Sequence, residues 1–301
     1  MASDSVDRRE GGSGVAVITD TAAGVPEGHG VYVVPMGVSV SGGDAIPSDD
    51  DAAMGAVLGA LADGSPLVAE PPSVDGIVDA INRAIGDGFS EFVMVTTSSG
   101  LSQSYDVACM VSAALAEEST DIMLEVIDSL EVASSARMAV MSARELLDEG
   151  VPLSELGVRM DSVAARMRMW MAVDDPSRLV SAGILGRIAA LRGTAFGALP
   201  ILSCDESGRC SVVRRTRGGL DAVGTLALLV SEFASAFSVV SLSICHAPEA
   251  SDIDVFEDAL REGCADAGAE VESIDRQMLA PEIVAYAGAG ALGVAVRGVR
   301  I

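Results

Sequence analysis

Short apolar runs alternate with amphipathic segments through the first half of the chain. Residues 15–20 (VAVITD) form a continuous apolar run that ends in Asp20, which is typical of a strand buried on both faces. The pattern predicts strands at 15–20, 30–40, 92–97 and 122–128, and helices at 49–63, 74–86, 102–118 and 134–149. Strands that alternate with helices predict a mostly parallel sheet with covering helices.

The pattern changes after Pro152. A predicted helix at 153–166 leads into 167–171 (MRMWM), whose alternation predicts a strand. Residues 201–217 predict a β-hairpin that turns at 205–208 (DESG). The remaining predicted elements are helices at 220–237 and 254–268 and strands at 239–245 and 270–274.

These elements predict an α/β protein with two domains. A polar, glycine-rich tail at 1–14 is expected to be disordered. The N-terminal domain is predicted at 15–165, with a mostly parallel sheet, and the C-terminal domain at 166–301, with a mixed sheet. The length of 301 residues fits two domains, because single cores seldom grow past roughly 250 residues. Half of the residues are apolar but only 3% are aromatic, so aliphatic side chains and methionine must fill the cores.

The net charge of the chain restricts the kinds of molecule that it can bind. The formal net charge is −25, from 44 acidic residues against 19 arginines, and there is no lysine. Such a surface repels nucleic-acid phosphates and permits at most transient contact with anionic membranes. The absence of lysine excludes Schiff-base and Walker-type lysine chemistry.

The cysteines and the apolar runs indicate a cytoplasmic protein. No CxxC spacing is present, so neither a zinc site nor a thioredoxin-like motif is predicted. The hairpin could bring Cys204 and Cys210 face to face, but the preferred interpretation is that they are buried or idle thiols. The tail has no apolar core of a signal peptide, and residues 226–244 are too short and too polar for a membrane span.

Three predicted strands end in polar clusters: Asp20-Thr21, residues 96–99 (TTSS) and Asp128-Ser129. Because ligands of open α/β sheets lie outside the carboxyl ends of the strands, these clusters are expected to converge on one crevice. The serines at 98–104 link a predicted strand to the N-terminus of a predicted helix, where free N–H groups favour an anion. The alternative, that a serine only caps the helix, stays open.

Other candidate motifs favour structural roles. Asp20 lacks the second aspartate of a two-carboxylate phosphatase, so Asp20 and Asp128 are expected to bond backbone amides. No GxSxG elbow is present, and neither His29 nor His246 adjoins a serine cluster, so a hydrolase triad is not predicted. Residues 288–293 match GxGxxG but are not followed by the helix, strand and acid of a dinucleotide site, so we interpret them as a turn with close backbone approach.

Several segments in order resemble the DegV family of fatty-acid-binding proteins. They are 17–26 (VITDTAAGVP), 98–105 (SSGLSQSY), 126–129 (VIDS), 186–188 (GRI), 199–202 (LPIL), 215–217 (RTR) and 288–293 (GAGALG). The resemblance runs from about residue 15 to the end of the chain. It implies two α/β domains with the acyl chain in a tunnel between them.

The resemblance also implies a function. A member of this family binds one long-chain fatty acid and presents its carboxylate to a kinase of the dihydroxyacetone-kinase type, which forms an acyl phosphate for phospholipid synthesis. The binder is not catalytic and has no cofactor or metal of its own, since ATP and magnesium belong to the kinase. The preferred chain length and unsaturation do not follow from the sequence.

Carried over position by position, the family's head-group serine falls on Ser102, with Ser104 two residues later, and its hairpin arginine falls on Arg215. Clustered arginines also favour an anion partner, and pairing with the many acids is an equal alternative. Tyr286 stands where the family has histidine. The predicted head-group residues are Ser102, Ser104, Arg215, Tyr286, Ser99 and Thr21.

The chain departs from the family at the head-group positions. The family's TSQPS is 69–73 (AEPPS) here, so Ala69 replaces a carboxylate-binding threonine and Glu70 follows it. Two alternatives therefore remain beside the fatty-acid carrier. One is a phosphotransferase or hydrolase that acts through Asp20, Ser102 and Asp128. The other is a lipid binder or sensor with altered head-group recognition.

Overall fold

The computed structural model describes residues 14–118, 122–185, 198–216 and 221–300. Its first sheet contains β1 (Val15–Asp20), β2 (Val31–Val34), β6 (Glu91–Thr96) and β7 (Leu124–Asp128). The four strands are parallel and lie in the order β2-β1-β6-β7. All six residues of β1 are buried, as expected for an apolar strand in the middle of a covered sheet.

The second main sheet is mixed. It contains β8 (Met167–Ala172), β9 (Pro200–Cys204), β10 (Cys210–Arg215), β11 (Val239–His246), β12 (Glu270–Met278) and β13 (Leu292–Arg300), in the order β10-β9-β8-β13-β11-β12. Only the β11–β12 pair is parallel. The predicted α/β class, with a parallel sheet in the N-terminal part and a mixed sheet in the C-terminal part, is confirmed. The domain boundary at residue 165 stays a prediction.

A small antiparallel sheet was not predicted. Its strands are β3 (Gly37–Val40), β4 (Ile46–Pro47) and β5 (Leu67–Glu70), with β3 in the centre. The sequence predicted one extended segment at 30–40, whereas the chain leaves the first sheet at Pro35 and continues in the small sheet. Proline lacks the N–H that a ladder needs, so a strand break there is physically reasonable.

The helices cover the sheets. Those of the first half are α1 (Asp51–Asp63), α2 (Val74–Gly86), α3 (Ser104–Glu118), α4 (Ala133–Asp148) and α5 (Leu153–Ala164). Those of the second half are α6 (Pro176–Ser181), α7 (Asp221–Ala234), α8 (Ile253–Asp266) and α9 (Pro281–Ala287). The predicted helices agree with these to within a few residues, whereas the short α6 and α9 and the strand β13 were missed. The resemblance to the family at 186–188 falls outside the described residues.

Helix α4 joins the two halves. It packs against β1 and β6 of the first sheet and against β8, β11 and β13 of the second. Eleven of its residues are buried, which leaves little of its surface in water. Val17 and Val95 of the first sheet and Met169 of the second belong to the same apolar cluster as α4. One continuous core therefore links the two sheets.

The hairpin turn of the second sheet also contacts the first half. The hydroxyl of Ser98 donates to the carbonyl of Gly208 at 2.8 Å. Gly208 has a φ of +70°, and a Cβ there would lie 2.0 Å from the Ser98 Oγ. A Cβ at Gly100 would lie 2.7 Å from the Gly208 carbonyl oxygen. Glycine is therefore required on both sides of this contact.

Candidate functional site

The polar ends of β1, β6 and β7 lie together at one edge of the parallel sheet. Asp20 accepts hydrogen bonds from the backbone N–H of Thr97 at 3.0 Å and from its hydroxyl at 2.7 Å. Asp128 accepts from the N–H of Ser99 at 3.1 Å and from that of Leu130 at 2.9 Å. The convergence of the strand ends is thus confirmed, and both aspartates bond backbone amides as predicted.

Asp20 is fully buried. Desolvation raises the pKa of its carboxyl, and the hydrogen bonds from Thr97 and Ser104 oppose that rise. Thr97 donates hydrogen bonds to both oxygens of Asp20, so the carboxylate links the end of β1 to the end of β6. This geometry favours a structural role over that of a nucleophile.

The serines before α3 combine two roles. The Oγ of Ser102 accepts from the N–H of Ser104 at 3.1 Å, and the two hydroxyl oxygens lie 2.9 Å apart. Ser102 therefore holds the first turn of α3, while its side chain also lines a cavity. Ser104 is buried behind it, and Ser99 is exposed at the surface.

A cavity of about 380 Å³ lies between the two main sheets. Its volume falls within the roughly 300–1,000 Å³ that is typical of small-molecule sites. Most of its walls are apolar and come from both halves of the chain, which supports the predicted tunnel between them. The apolar wall residues are Ala22, Met36, Val68, Ala69, Pro71, Leu101, Val132, Met169, Met171, Val173, Leu179, Ala182, Ile184, Leu202, Ile283 and Ala287.

Polar side chains gather where α9 meets β5. The hydroxyl of Tyr286 accepts a hydrogen bond from the backbone N–H of Ala69 at 2.9 Å. Because its oxygen accepts that bond, Tyr286 keeps its own proton to donate. Tyr286 and Ala69 both line the cavity, as do the neighbouring Glu70 and Gln103.

Sequence reasoning missed one residue of this end of the cavity, Glu282. It is 1% exposed, lines the cavity and accepts the hydroxyl hydrogen of Thr21 at Oε1, at 2.6 Å. The N–H of Met36 in turn donates to the Thr21 Oγ1 at 3.0 Å, which fixes the threonine. Burial raises the pKa of Glu282, and the hydroxyls of Ser48 and Thr21 oppose the rise.

The sequence carried a weak indication of this helix. Pro281 followed by Glu282 is typical of a helix start, where the proline needs no N–H partner and an acid favours the helix dipole. An acid at such a position is usually exposed. Here the docking of α9 on β5, α1 and α6 buries it.

The predicted head-group residues do not all meet. Ser102 and Tyr286 line the cavity, Ser104 bonds Ser102, and Thr21 bonds Glu282. Arg215 lies at the end of β10, opposite Pro200, and is not among the described residues that line the cavity.

The glycine-rich segment after α9 is a turn with close backbone approach, as predicted. The N–H of Gly290 donates to Oδ2 of Asp174 at 2.7 Å. A Cβ at Gly288, whose φ is +93°, would overlap the same carboxylate. The two glycines therefore let Asp174 anchor the end of α9.

The thiols of Cys204 and Cys210 face each other across the hairpin, with their sulfur atoms 3.4 Å apart. Cys210 also lines the cavity. Among the residues that the structure describes, no group of three or more histidine, cysteine, aspartate and glutamate side chains is arranged to hold a metal ion. Within that same part of the chain, no helix combines the length and apolar character needed to cross a membrane.

A family model described as "Uncharacterised protein, DegV family" matches residues 14–298, nearly the whole chain. The chain belongs to the DegV family. A DegV domain-containing protein of Staphylococcus aureus is 22% identical to it over 284 residues, which cover 93% of this chain and 97% of that protein.

Solved DegV structures share the fold. One is a DegV family protein from Thermus thermophilus whose structure was reported for its fatty acid binding. It superposes with a TM-score of 0.80 at 21% identity, and the match covers 95% of this chain and 99% of that one. The Fatty Acid Kinase (Fak) B3 protein of Streptococcus pneumoniae, loaded with linoleic acid, superposes with a TM-score of 0.78 at 16% identity, covering 94% and 99%.

Proposed function

We propose that this DegV protein binds one long-chain fatty acid in the cavity between its two sheets and presents the head group to a partner kinase. The observation that carries the proposal is the cavity itself, which has mostly apolar walls from both halves and polar side chains where α9 meets β5. Ser102, Gln103 and Tyr286 supply hydrogen-bond donors among its lining residues. The head-group set is then Ser102 and Tyr286 in contact with the ligand and Ser104 and Thr21 behind them.

The balance of energies favours a lipid. Each methylene buried from water contributes about 0.8 kcal/mol, whereas a neutral hydrogen bond contributes about 1 kcal/mol. Ten buried methylenes therefore outweigh the loss of one or two head-group bonds, such as the threonine that Ala69 replaces. The flexible walls of Met169 and Met171 can adapt to chains of different shape.

The partner belongs to the proposal as well. The fold similarity to the Fak B3 protein supports delivery of the acid to a fatty acid kinase of the dihydroxyacetone-kinase type, which brings ATP and magnesium. The acyl phosphate would form on the kinase, in the cytoplasm, and this chain would act as carrier. The engagement of both Asp20 oxygens by Thr97 supports a non-catalytic role over hydrolysis or phosphate transfer at this edge.

Mass spectrometry of the natively purified protein tests the binding. A single fatty acid per chain is expected, and palmitate or oleate added to the delipidated protein should raise its thermal midpoint. Leu202→Trp, which fills the cavity, should lose this shift, while Val158→Trp on the exposed face of α5 should keep it. A delipidated protein that takes up no fatty acid would overturn the proposal. For the partner step, acyl phosphate should form with kinase, ATP and magnesium only when the loaded carrier is added.

A further inference from the structure

The described lining residues of the cavity include two acids and no matching base. Two carboxylates, Glu70 and Glu282, line it, and the lining residues that the structure describes include no arginine or histidine. The chain has no lysine at all. An ionised carboxylate bound here would face like charges, which disfavour its charged form.

Glu282 also presents an unused acceptor. Its Oε1 accepts from Thr21 at 2.6 Å, whereas its Oε2 makes no hydrogen bond to a described residue, although the Ser48 hydroxyl lies near the carboxyl and lowers its pKa. The side chain is only 1% exposed to bulk solvent. A buried acceptor without a donor is unfavourable, and a ligand that donates at this point removes the penalty. Tyr286 lies four residues later on the same helix face and offers a donor to the same ligand head.

We infer that this end of the cavity selects a single-chain lipid whose head is uncharged and donates a hydrogen bond, which the Oε2 of Glu282 accepts. The inference deepens the proposed function and rests on it. Two head groups on one alkyl chain have this chemistry, the un-ionised carboxyl of a fatty acid and the hydroxyl of a long-chain alcohol. With a fatty acid, the ligand carboxyl and Glu282 together keep one proton. With an alcohol, the Glu282 carboxyl accepts directly in either protonation state, and Tyr286 donates to the ligand oxygen in both cases.

The surroundings of Glu282 favour one shared proton, and not two negative charges, at this end of the cavity. The buried Asp20 lies close enough for its charge to raise the pKa of Glu282. The one cation on a neighbouring helix, Arg178, is held by Asp175 at 3.3 Å and by backbone carbonyls of the α1 end. β3 has no titratable residue, and those on the other elements packed against α9 are Glu70 of β5, Asp51 and Asp63 of α1 and Arg178 of α6.

Equilibrium dialysis with radiolabelled palmitic acid and hexadecanol, at two pH values between about 6 and 8, tests the inference on the delipidated full chain. For the wild type, the affinity for palmitic acid should fall by up to about tenfold for each unit of rising pH. Hexadecanol should bind equally at both. Glu282→Gln, which can donate to a carboxylate, should remove the pH dependence and bind palmitate more tightly at the higher pH. Glu262→Gln, an exposed change on α8, serves as the matched control and should behave as wild type.

The outcomes separate the two proposals. If neither lipid binds the wild type at either pH, the proposed function fails. If palmitic acid binds equally at both pH values, or if its pH dependence persists unchanged in Glu282→Gln, the head-group inference fails and lipid binding stands. Should Glu282→Gln not fold, the comparison of acid and alcohol on the wild type decides, supported by Glu70→Gln, which removes the other charge at this end.

Discussion

The backbone N–H of Ala69 donates to the hydroxyl of Tyr286 across 2.9 Å, although 217 residues separate the two in the chain. Ala69 stands where the resemblance places a carboxylate-binding threonine, and Tyr286 where it places a histidine. The two altered positions therefore contact each other. The contact attaches α9 to β5 and orients a phenol hydroxyl at the polar end of the cavity.

Tyr286→Phe should weaken both the fold and the site. The change leaves the Ala69 N–H without its acceptor, which costs about 1 kcal/mol in the free energy of unfolding. It also removes a ligand donor, so we expect lipid affinity to fall about tenfold. Urea denaturation and equilibrium dialysis measure the two effects. Tyr105→Phe on α3, which does not line the cavity, is the control, and equal losses in both variants would contradict this role of Tyr286.

Gly208→Ala should loosen the contact between the hairpin turn and Ser98. Alanine at φ +70° costs about 1–2 kcal/mol, and its Cβ also displaces the Ser98 hydroxyl from its 2.8 Å bond. Gly64→Ala is a matched control, because Gly64 has φ +76° and nothing within 4 Å of the added Cβ. The drop in thermal midpoint should be clearly larger for Gly208→Ala. Equal drops would show that the contact with Ser98 adds nothing.

Glu131 should make stability depend on pH. Burial raises its pKa from 4.5 to about 7, against the opposing effects of Ser135 and Arg168. Glu131 ionises at a lower pH in the unfolded chain than in the folded protein, so its ionisation lowers the free energy of unfolding. This loss of stability is absent below pH 4.5, grows as the pH rises and is complete above about pH 7. Each pKa unit corresponds to 1.36 kcal/mol, so the loss is at most about 3 kcal/mol.

Glu131→Gln removes the ionisable group and should therefore be more stable than the wild type at alkaline pH, with a smaller difference near pH 4.5. Chemical denaturation across this range measures the change. Glu117→Gln, on the exposed surface of α3, should follow the wild type. A Glu131→Gln curve parallel to that of the wild type would contradict the raised pKa.

Cys204 and Cys210 should form a disulfide under mild oxidation. They occupy directly opposite positions of β9 and β10, with sulfur atoms 3.4 Å apart. The hydrogen bond with the neighbouring Cys210 thiol, and burial, raise the pKa of Cys204, so the reaction should be slow at neutral pH. Diamide treatment followed by peptide mass spectrometry detects the bridge, and Cys210→Ser should abolish it. Pairing of Cys245 with Cys264 instead would contradict the geometry.

The candidate site was predicted in part. Serine and aspartate clusters at the strand ends were predicted from the sequence, and the resemblance placed Ser102 in the site; Ser102 lies in the cavity wall. Arg215 was placed in the site by resemblance, and the cavity walls among the described residues do not include it. Glu282 was not found, because nothing local distinguishes a buried acid in a first helical turn from an exposed one.

The sequence by itself determined the class of the fold. Strands covered on both faces are continuous apolar runs, and helices carry periodic ones, so 15–20 and 74–86 could be assigned from local pattern alone. Tertiary structure decided the break at Pro35, the small sheet around β3, the burial of α4 between two sheets and the meeting of Ala69 with Tyr286. These features depend on contacts between segments that are distant in the chain. Such contacts are stabilised by burial of surfaces that form only when both segments have folded, so the local sequence pattern does not show them.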